Sequence, residues 1–263
     1  MTLVAHYDLE FHQMDVKMAF LNGNIDETLY MVQLENFVLG DPKNMEYKFG
    51  DTPVAKGDKF SLKLCPKGNL EIQEMQKIPY ALVVGSLMYA QVRTRLDIAY
   101  IVGVLGRHLS NPGMDHWKTV KRVMRYMKRT KYYMLTYKRS DQLEITGYSD
   151  SDFAGCLDSL RSTSGYIFML AGGVVSWHSA KETLTTSSTM AAKFVACYVA
   201  SNHGIWLRNF VTGLQIMEGI ERPLKLYCDN KLVVLYSNNN RSSAKSKHID
   251  IKFLVVKKRV QSG

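Results

Sequence analysis

The stretch "GYSDSDFAGC", residues 147–156, sets Asp150 and Asp152 two residues apart, directly after a short apolar segment. Two readings stand open. Asp and Ser side chains hydrogen-bond their own backbone and often end strands, so the pair can simply be a turn. Alternatively, one carboxylate is presented at a strand end to hold a cation. The rest of the chain has to decide between them.

The neighbouring segments have a mixed α/β texture. "MLTY" (134–137) and "LEITGYSD" (143–150) predict strands. "SGYIFML" (164–170) and "VVSWHS" (174–179), joined through Gly172 and Gly173, predict a hairpin. "SSTMAAKFVACYVASNHGIWLRNFVTGL", from Ser187, predicts one long helix or a broken pair, with Ser187 or Ser188 as N-cap. "PLKLYCDN" (223–230) predicts a strand ending at Asp229. In "HIDIKFLVVKKRV", Ile249, Phe253, Val256 and Val260 recur at helical spacing behind Asp250. Three segments thus offer a carboxylate at the end of an element: Asp150, Asp229 and Asp250. A rigid sheet commonly places catalytic groups on the loops at its strand ends. Clustered carboxylates can hold two divalent cations that activate water and stabilise the leaving oxygen in phosphodiester cleavage. Mg²⁺ favours such oxygen ligands. Aspartates also stand at element ends with no such role.

Upstream the texture differs. Residues 38–79 are polar, rich in Gly, Pro, Lys and Asp, and without a sustained period, which predicts loop. Residues 80–131 read as helices: "YALVVGSLMYAQV", then "RLDIAYIVGVLGRHL" stopped by "NPG" at 111–113, then "DHWKTVKRVMRYMKRTK". The last carries an apolar stripe of Trp117, Val120, Val123 or Met124, and Met127. Opposite that stripe lie Lys118, Lys121, Arg122, Arg125, Lys128 and Arg129. Such a face is either solvated surface or a row of phosphate contacts. The chain of 263 residues carries a formal charge of +10, which favours a polyanionic partner, nucleic acid in the usual case. A second basic cluster, Lys245, Lys247, Lys252, Lys257, Lys258 and Arg259, surrounds Asp250. Trp177 and Trp206 are expected in the core.

Cys65, Cys156, Cys197 and Cys228 are scattered, with no C-x-x-C, so neither a disulfide framework nor a zinc site is indicated. "MTLVAHYDLE" lacks a basic start followed by an apolar run. The longest uncharged apolar stretch, ending before Arg93, is too short to span a bilayer. A soluble intracellular chain with reduced thiols and no membrane partner is the expectation, cytoplasm and nucleus being indistinguishable.

Several ordered motifs resemble one family. "YSDSDFAGC", "RSTSGYIF" from Arg161, "VSWHSAK" from Val175, "LYCDN" and "KSKHIDIKF" are similar, in this order, to the ribonuclease H domain of copia-type retrotransposon Pol polyproteins. "KIPYALVVGSLMYAQVRTRLDIAYIVGVLGRHLSNPG" resembles the segment joining that domain to the reverse transcriptase, and "HQMDVKMAFLNG" the first catalytic aspartate motif of the polymerase. The resemblance implies an α/β fold, a ribonuclease-H-like mixed β-sheet with flanking helices over 135–263. A helical connector over 80–134 and a truncated reverse-transcriptase remnant with a polar linker over 1–79 would precede it. It implies two Mg²⁺ ions held by Asp150, Asp229 and Asp250, an RNA–DNA hybrid as partner, and hydrolysis of the RNA strand. His248 would help proton transfer or product release, and its plainer reading is an exposed helix-cap residue. Asp15 matches the first polymerase aspartate.

Two departures limit what the resemblance implies. The Tyr-X-Asp-Asp hairpin of the polymerase does not occur, so no polymerase activity is expected from Asp15 alone. On the first long helix the family carries a glutamate in a stretch resembling Ser-Ser-x-x-x-x-Glu-Phe, and this chain reads "SSTMAAKFVAC" with Lys193 there. Ala191, the other place for an acid, is neutral, and Glu182 lies too far upstream to substitute. Each unit-charge contact at about 4 Å is worth roughly 4 kcal/mol at an effective dielectric near 20. Exchanging glutamate for lysine should therefore weaken metal binding and impair hydrolysis. The alternative readings are a catalytically dead nucleic-acid-binding module or a decayed genomic fragment.

Overall fold

A computed structural model describes residues 52–54, 58, 60–133, 135, 137, 144–214, 224–230 and 233. They belong to two compact units, divided between Leu135 and Tyr137.

The first unit is helical: α1 (Asn69–Gln76), α2 (Tyr80–Arg93), α3 (Ala99–Gly106) and α4 (Met114–Arg129), with 3-10 turns at Leu62–Leu64 and Leu96–Ile98. Its core joins Tyr80, Val84 and Leu87 of α2, Ile101, Val102 and Leu105 of α3, and Val120, Val123 and Met127 of α4. Those spacings of three and four are the stripes read in the sequence. The Tyr80 hydroxyl donates to the Leu105 carbonyl at 3.0 Å.

Two expectations fail in this unit. Within the expected loop of residues 38–79 lies α1. Gly68 caps it, and the Lys67 N–H donates back to Glu71 Oε2 at 3.1 Å. Met75 is buried while Leu70 and Ile72 are exposed, so its apolar residues fall on different faces and leave no periodic signal. The second expected helix is shorter than "RLDIAYIVGVLGRHL" and stops at Gly106, before "NPG". The N–H groups of Arg107 and His108 bond the carbonyls of Val104 and Leu105, three residues back, which tightens the chain out of the α-helix. At its other end, the buried Arg95 guanidinium forks onto Asp97 at 2.9 and 2.7 Å and holds Leu96–Ile98 as a 3-10 turn.

The second unit holds β1 (Ile145–Ser151), β2 (Thr163–Leu170), β3 (Gly173–Lys181), α5 (Thr189–Gly213) and β4 (Lys225–Cys228). The sheet order is β3-β2-β1-β4. β1 is antiparallel to β2, which is antiparallel to β3. After α5 the chain returns as β4, parallel to β1. Among the described residues this mixed four-stranded sheet with a flanking helix is the α/β ribonuclease-H-like arrangement that the sequence led us to expect. The β2–β3 turn is Ala171-Gly172, one residue earlier than Gly172-Gly173, because both turn residues take positive φ, 51° and 78°, while Gly173 enters the strand. α5 is one unbroken helix of 25 residues, capped by the Ser188 hydroxyl accepting from the Ala191 N–H at 3.2 Å. Of "MLTY", only Leu135 and Tyr137 are described, and neither is in a strand.

Phe168 fixes how α5 meets the sheet. Its ring is fully buried with Ile145, Leu170, Ala200, Leu207 and Val211. Two glycines make room for it. A Cβ on Gly147 of β1 would lie 2.5 Å from the Phe168 ring, and one on Gly204 of α5 would lie 2.9 Å from the same ring and 2.4 Å from Leu224. Trp206 was expected in the core but faces away from this contact, 56% exposed and stacked on Phe210. Trp177 is half-buried. No helix among the described residues is long and apolar enough to cross a membrane.

Filling that contact should be costly. Gly204→Val is expected to destabilise the second unit by about 1–3 kcal/mol through overpacking, and Phe168→Ala by about 3–5 kcal/mol through the cavity it leaves. Urea unfolding monitored by circular dichroism measures both. Unchanged midpoints would mean that the helix is not seated on Phe168.

Candidate functional site

Side chains of β1 alternate between a buried and an exposed face, and Asp150 falls on the exposed one, near the strand's C-terminal end. Asp229 follows the last residue of the parallel neighbour β4. Parallel pairing therefore brings the two carboxylates to the same end of the sheet. The contact at Gly204 sets α5 against these strands, and Lys193 lies eleven residues nearer the helix start, about 16 Å along its axis.

The three side chains meet. Lys193 Nζ donates to Asp150 Oδ1 at 2.9 Å and to Asp229 Oδ1 at 2.5 Å, and also contacts Asp229 Oδ2. The lysine side chain is only 12% exposed, whereas those of Asp150 and Asp229 are 75% and 63% exposed. Asp150 Oδ1 also accepts from the Ser151 N–H at 2.7 Å. The hydrogen bond from Lys193 holds the Asp150 carboxyl below the usual carboxylate range. Burial alone would lower the Lys193 ammonium, but its hydrogen bonds to Asp229 and Asp150 outweigh it and raise the group above an ordinary lysine.

The opening question now has an answer. Asp152 is a turn residue: its Oδ1 accepts from the Thr163 N–H at 2.5 Å, fixing the loop after β1 to the start of β2. Asp150 alone turns toward α5 and β4. Glu182 lies just past β3, buried, and its N–H donates to the Ser162 carbonyl at 2.8 Å. Asp250, His248 and Asp15 lie outside the described residues.

A divalent cation does not fit this arrangement. Magnesium needs carboxylate oxygens at about 2.0–2.1 Å. Here an ammonium occupies the space between the two carboxylates and uses three of their four oxygens. Among the described residues, no group of three or more His, Cys, Asp or Glu side chains is arranged to hold a metal ion.

The basic face of α4 belongs to the other unit. Lys118, Lys121, Arg125, Lys128 and Arg129 are exposed. Arg122 is half-buried and ion-paired with Asp58, and Lys118 pairs with Asp115 at 2.8 Å.

One feature beside the site went unread in the sequence. Cys197, one helical turn after Lys193, and Cys228, directly before Asp229, pack in one cluster with Phe194 and Val233. Interaction with the Cys197 thiol holds the Cys228 thiol below its ordinary range, and Cys197 is raised in turn by Cys228 and by its burial. The signal available was the i+4 step from Lys193 and the adjacency to Asp229, which acquire meaning only once α5 is set against β4.

Comparison with known proteins gives the following. No family model matches the chain. It is 39% identical over 202 residues to the retrovirus-related Pol polyprotein from transposon TNT 1-94 of Nicotiana tabacum, covering 77% of this chain and 15% of that one. It is 43% identical over 133 residues to the secreted RxLR effector protein 161 of Plasmopara viticola, covering 51% of this chain and 94% of that one. A ribonuclease H1 isolated from compost by a metagenomic approach overlaps it with a TM-score of 0.34 at 19% identity, over 46% of this chain and 78% of that one. The chain thus spans about a seventh of the length of the Pol relative and nearly all of the shorter one.

The bridge predicts a pH signature for Lys193→Met, which leaves two carboxylates facing each other with no shared cation. The Asp150 pKa is depressed in the fold, so its contribution is present above the unfolded value and lost as pH falls through the folded one. The Lys193 pKa is raised, so its contribution holds until pH rises through the folded value. Both carboxylates are largely exposed, so the loss should stay near or below about 1 kcal/mol. The variant should melt a few degrees below wild type at pH 7, with the gap closing as pH falls through the depressed Asp150 value. Melting curves against pH measure it. Identical curves throughout would mean the contact contributes nothing.

Proposed function

Because the chain belongs to the copia-type retrotransposon Pol family, we propose that it is a ribonuclease-H-like nucleic-acid-binding module whose lineage activity is blocked by Lys193. That activity is metal-dependent hydrolysis of the RNA strand in an RNA–DNA hybrid. The observation that carries the reading is the Lys193 ammonium bound between Asp150 and Asp229. In the lineage reaction Asp150, Asp229 and Asp250 would hold Mg²⁺, with His248 assisting proton transfer or product release. In this chain Lys193 neutralises one of the carboxylate charges, removes the oxygens a cation would use, and adds a positive charge where a glutamate would stand. The proposal includes an intracellular setting, in keeping with four cysteines that form no disulfide.

A labelled RNA–DNA hybrid tests it. Wild-type protein with Mg²⁺ should cleave little or nothing. Lys193→Glu should raise cleavage by at least about two orders of magnitude, since some 3 kcal/mol off the barrier suffices. Adding Asp229→Asn should abolish the gain. Wild-type cleavage as fast as that of Lys193→Glu would overturn the blocking role. A folded Lys193→Glu protein that binds hybrid yet stays inert would mean that the site has decayed elsewhere.

Binding itself is proposed to run through the exposed part of the α4 face. Arg122 is already paired with Asp58, so Lys121, Arg125 and Lys128 are the residues to neutralise. The triple variant should reduce the slope of log affinity against log salt by roughly one to three units. An unchanged slope would leave this face as solvated helix surface.

A further inference from the structure

We propose that His116 is an acid-sensitive latch, holding the turn at Leu62–Leu64 against the start of α4 for as long as its ring is neutral. The inference concerns the helical unit alone and is independent of whether the chain binds nucleic acid.

His116 is the third residue of α4 and fully buried. Gly113 is the N-cap, and its N–H donates to His116 Nδ1 at 2.9 Å. That bond is one half of a capping box, with the side chain reaching back to the cap. An Nδ1 that accepts carries no proton, so the ring's single proton sits on Nε2. Nε2 is buried and has no hydrogen-bond partner among the described residues. The ring stacks on His108, centroids 4.2 Å apart, and on Phe60 at 6.4 Å. His108 Nδ1 in turn lies 3.9 Å from Cys65 Sγ. The Leu64 carbonyl approaches Gly113 so closely that a Cβ there would have no room. The segment from Phe60 to Cys65 thus rests on the start of α4 through the His116 ring and its neighbours.

A second proton can go only to Nδ1. Taking it ends the bond from Gly113 and leaves two N–H groups pointed at each other. It also places a cation among stacked rings away from water. Burial first, and then the neighbouring His108, push the His116 imidazole down to about 4, against a smaller opposing effect of Asp115. Other ionisable groups on the elements packed there are engaged elsewhere. Cys65 faces His108, and Asp58 is paired with Arg122. Tyr80 of α2 donates to the Leu105 carbonyl, and burial and Cys65 push its hydroxyl up. Lys63, Lys67, Glu71 and Glu74 line the cleft beside Cys65 and Asp115. Once the segment opens, His116 regains the ordinary value of 6.5. The closed form is therefore fully favoured above pH 6.5, loses stability as pH falls below it, and has lost the whole contribution below about 4.

Amide hydrogen exchange of the full chain between pH 7 and pH 4, followed by mass spectrometry and corrected for the intrinsic rate at each pH, tests it. The N–H groups of Leu64, Cys65 and Trp117 close the two turns that His116 joins. Peptides holding them should lose protection by roughly two orders of magnitude across that range. Peptides of β1 and β2, in the other unit, are the internal reference and should keep theirs. His116→Asn offers an oxygen to the Gly113 N–H but takes no proton, and should abolish the pH dependence. If His116→Asn does not fold, the wild-type His116 ring is titrated by NMR. It should titrate well below 6.5, in step with the loss of protection. Protection in wild type that is flat with pH, an equal acid loss in His116→Asn, a loss shared with β1 and β2, or a His116 ring titrating near 6.5 would each overturn the proposal.

Discussion

The phenyl ring of Phe168, held between Gly147 and Gly204, determines how closely α5 approaches the sheet. The approach is possible only because neither glycine carries a Cβ. It brings the helix against β1, β2 and β4. Lys193, Cys197, Ala200 and Gly204 then form one edge of α5, spaced at three and four residues, and that edge faces the strands carrying Asp150, Cys228 and Asp229. Every contact of the site follows from this seating.

Charge explains what occupies the site. Parallel β1 and β4 deliver two carboxylates to one end of the sheet, where their repulsion calls for a cation. Here the seating of α5 places a lysine at the same spot, with a buried aliphatic stem and an ammonium able to donate three hydrogen bonds.

Much of this was legible in the sequence, for local reasons. Short apolar runs in "LEITGYSD" and "SGYIFML", the apolar character of α2 and α5, and the helical spacing of α4 marked the elements that pack on a core. "SDSD" and "LYCDN" stood out because polar residues interrupt apolar strands there. Illegible were the places where tertiary contact overrides local pattern. α1 is stabilised through Met75 and a Glu71 cap rather than by a stripe. Ala171 takes a left-handed turn position that favours glycine. Trp206 is outside because the buried arc of α5 is already filled by Ala200, Leu207 and Val211 around Phe168. Nor could the sequence say which of Asp150 and Asp152 serves the turn, since that depends on the register that sets Asp152 beside Thr163.

The account turns on the Lys193 ammonium lying between Asp150 and Asp229. Its most direct test is the pH titration of the Lys193 side-chain nitrogen by ¹⁵N NMR, in wild type and in Asp229→Asn. The account predicts that Lys193 titrates above the ordinary lysine value of 10.5, and that losing the Asp229 charge moves it back down. An ordinary titration that Asp229→Asn leaves unmoved would contradict it.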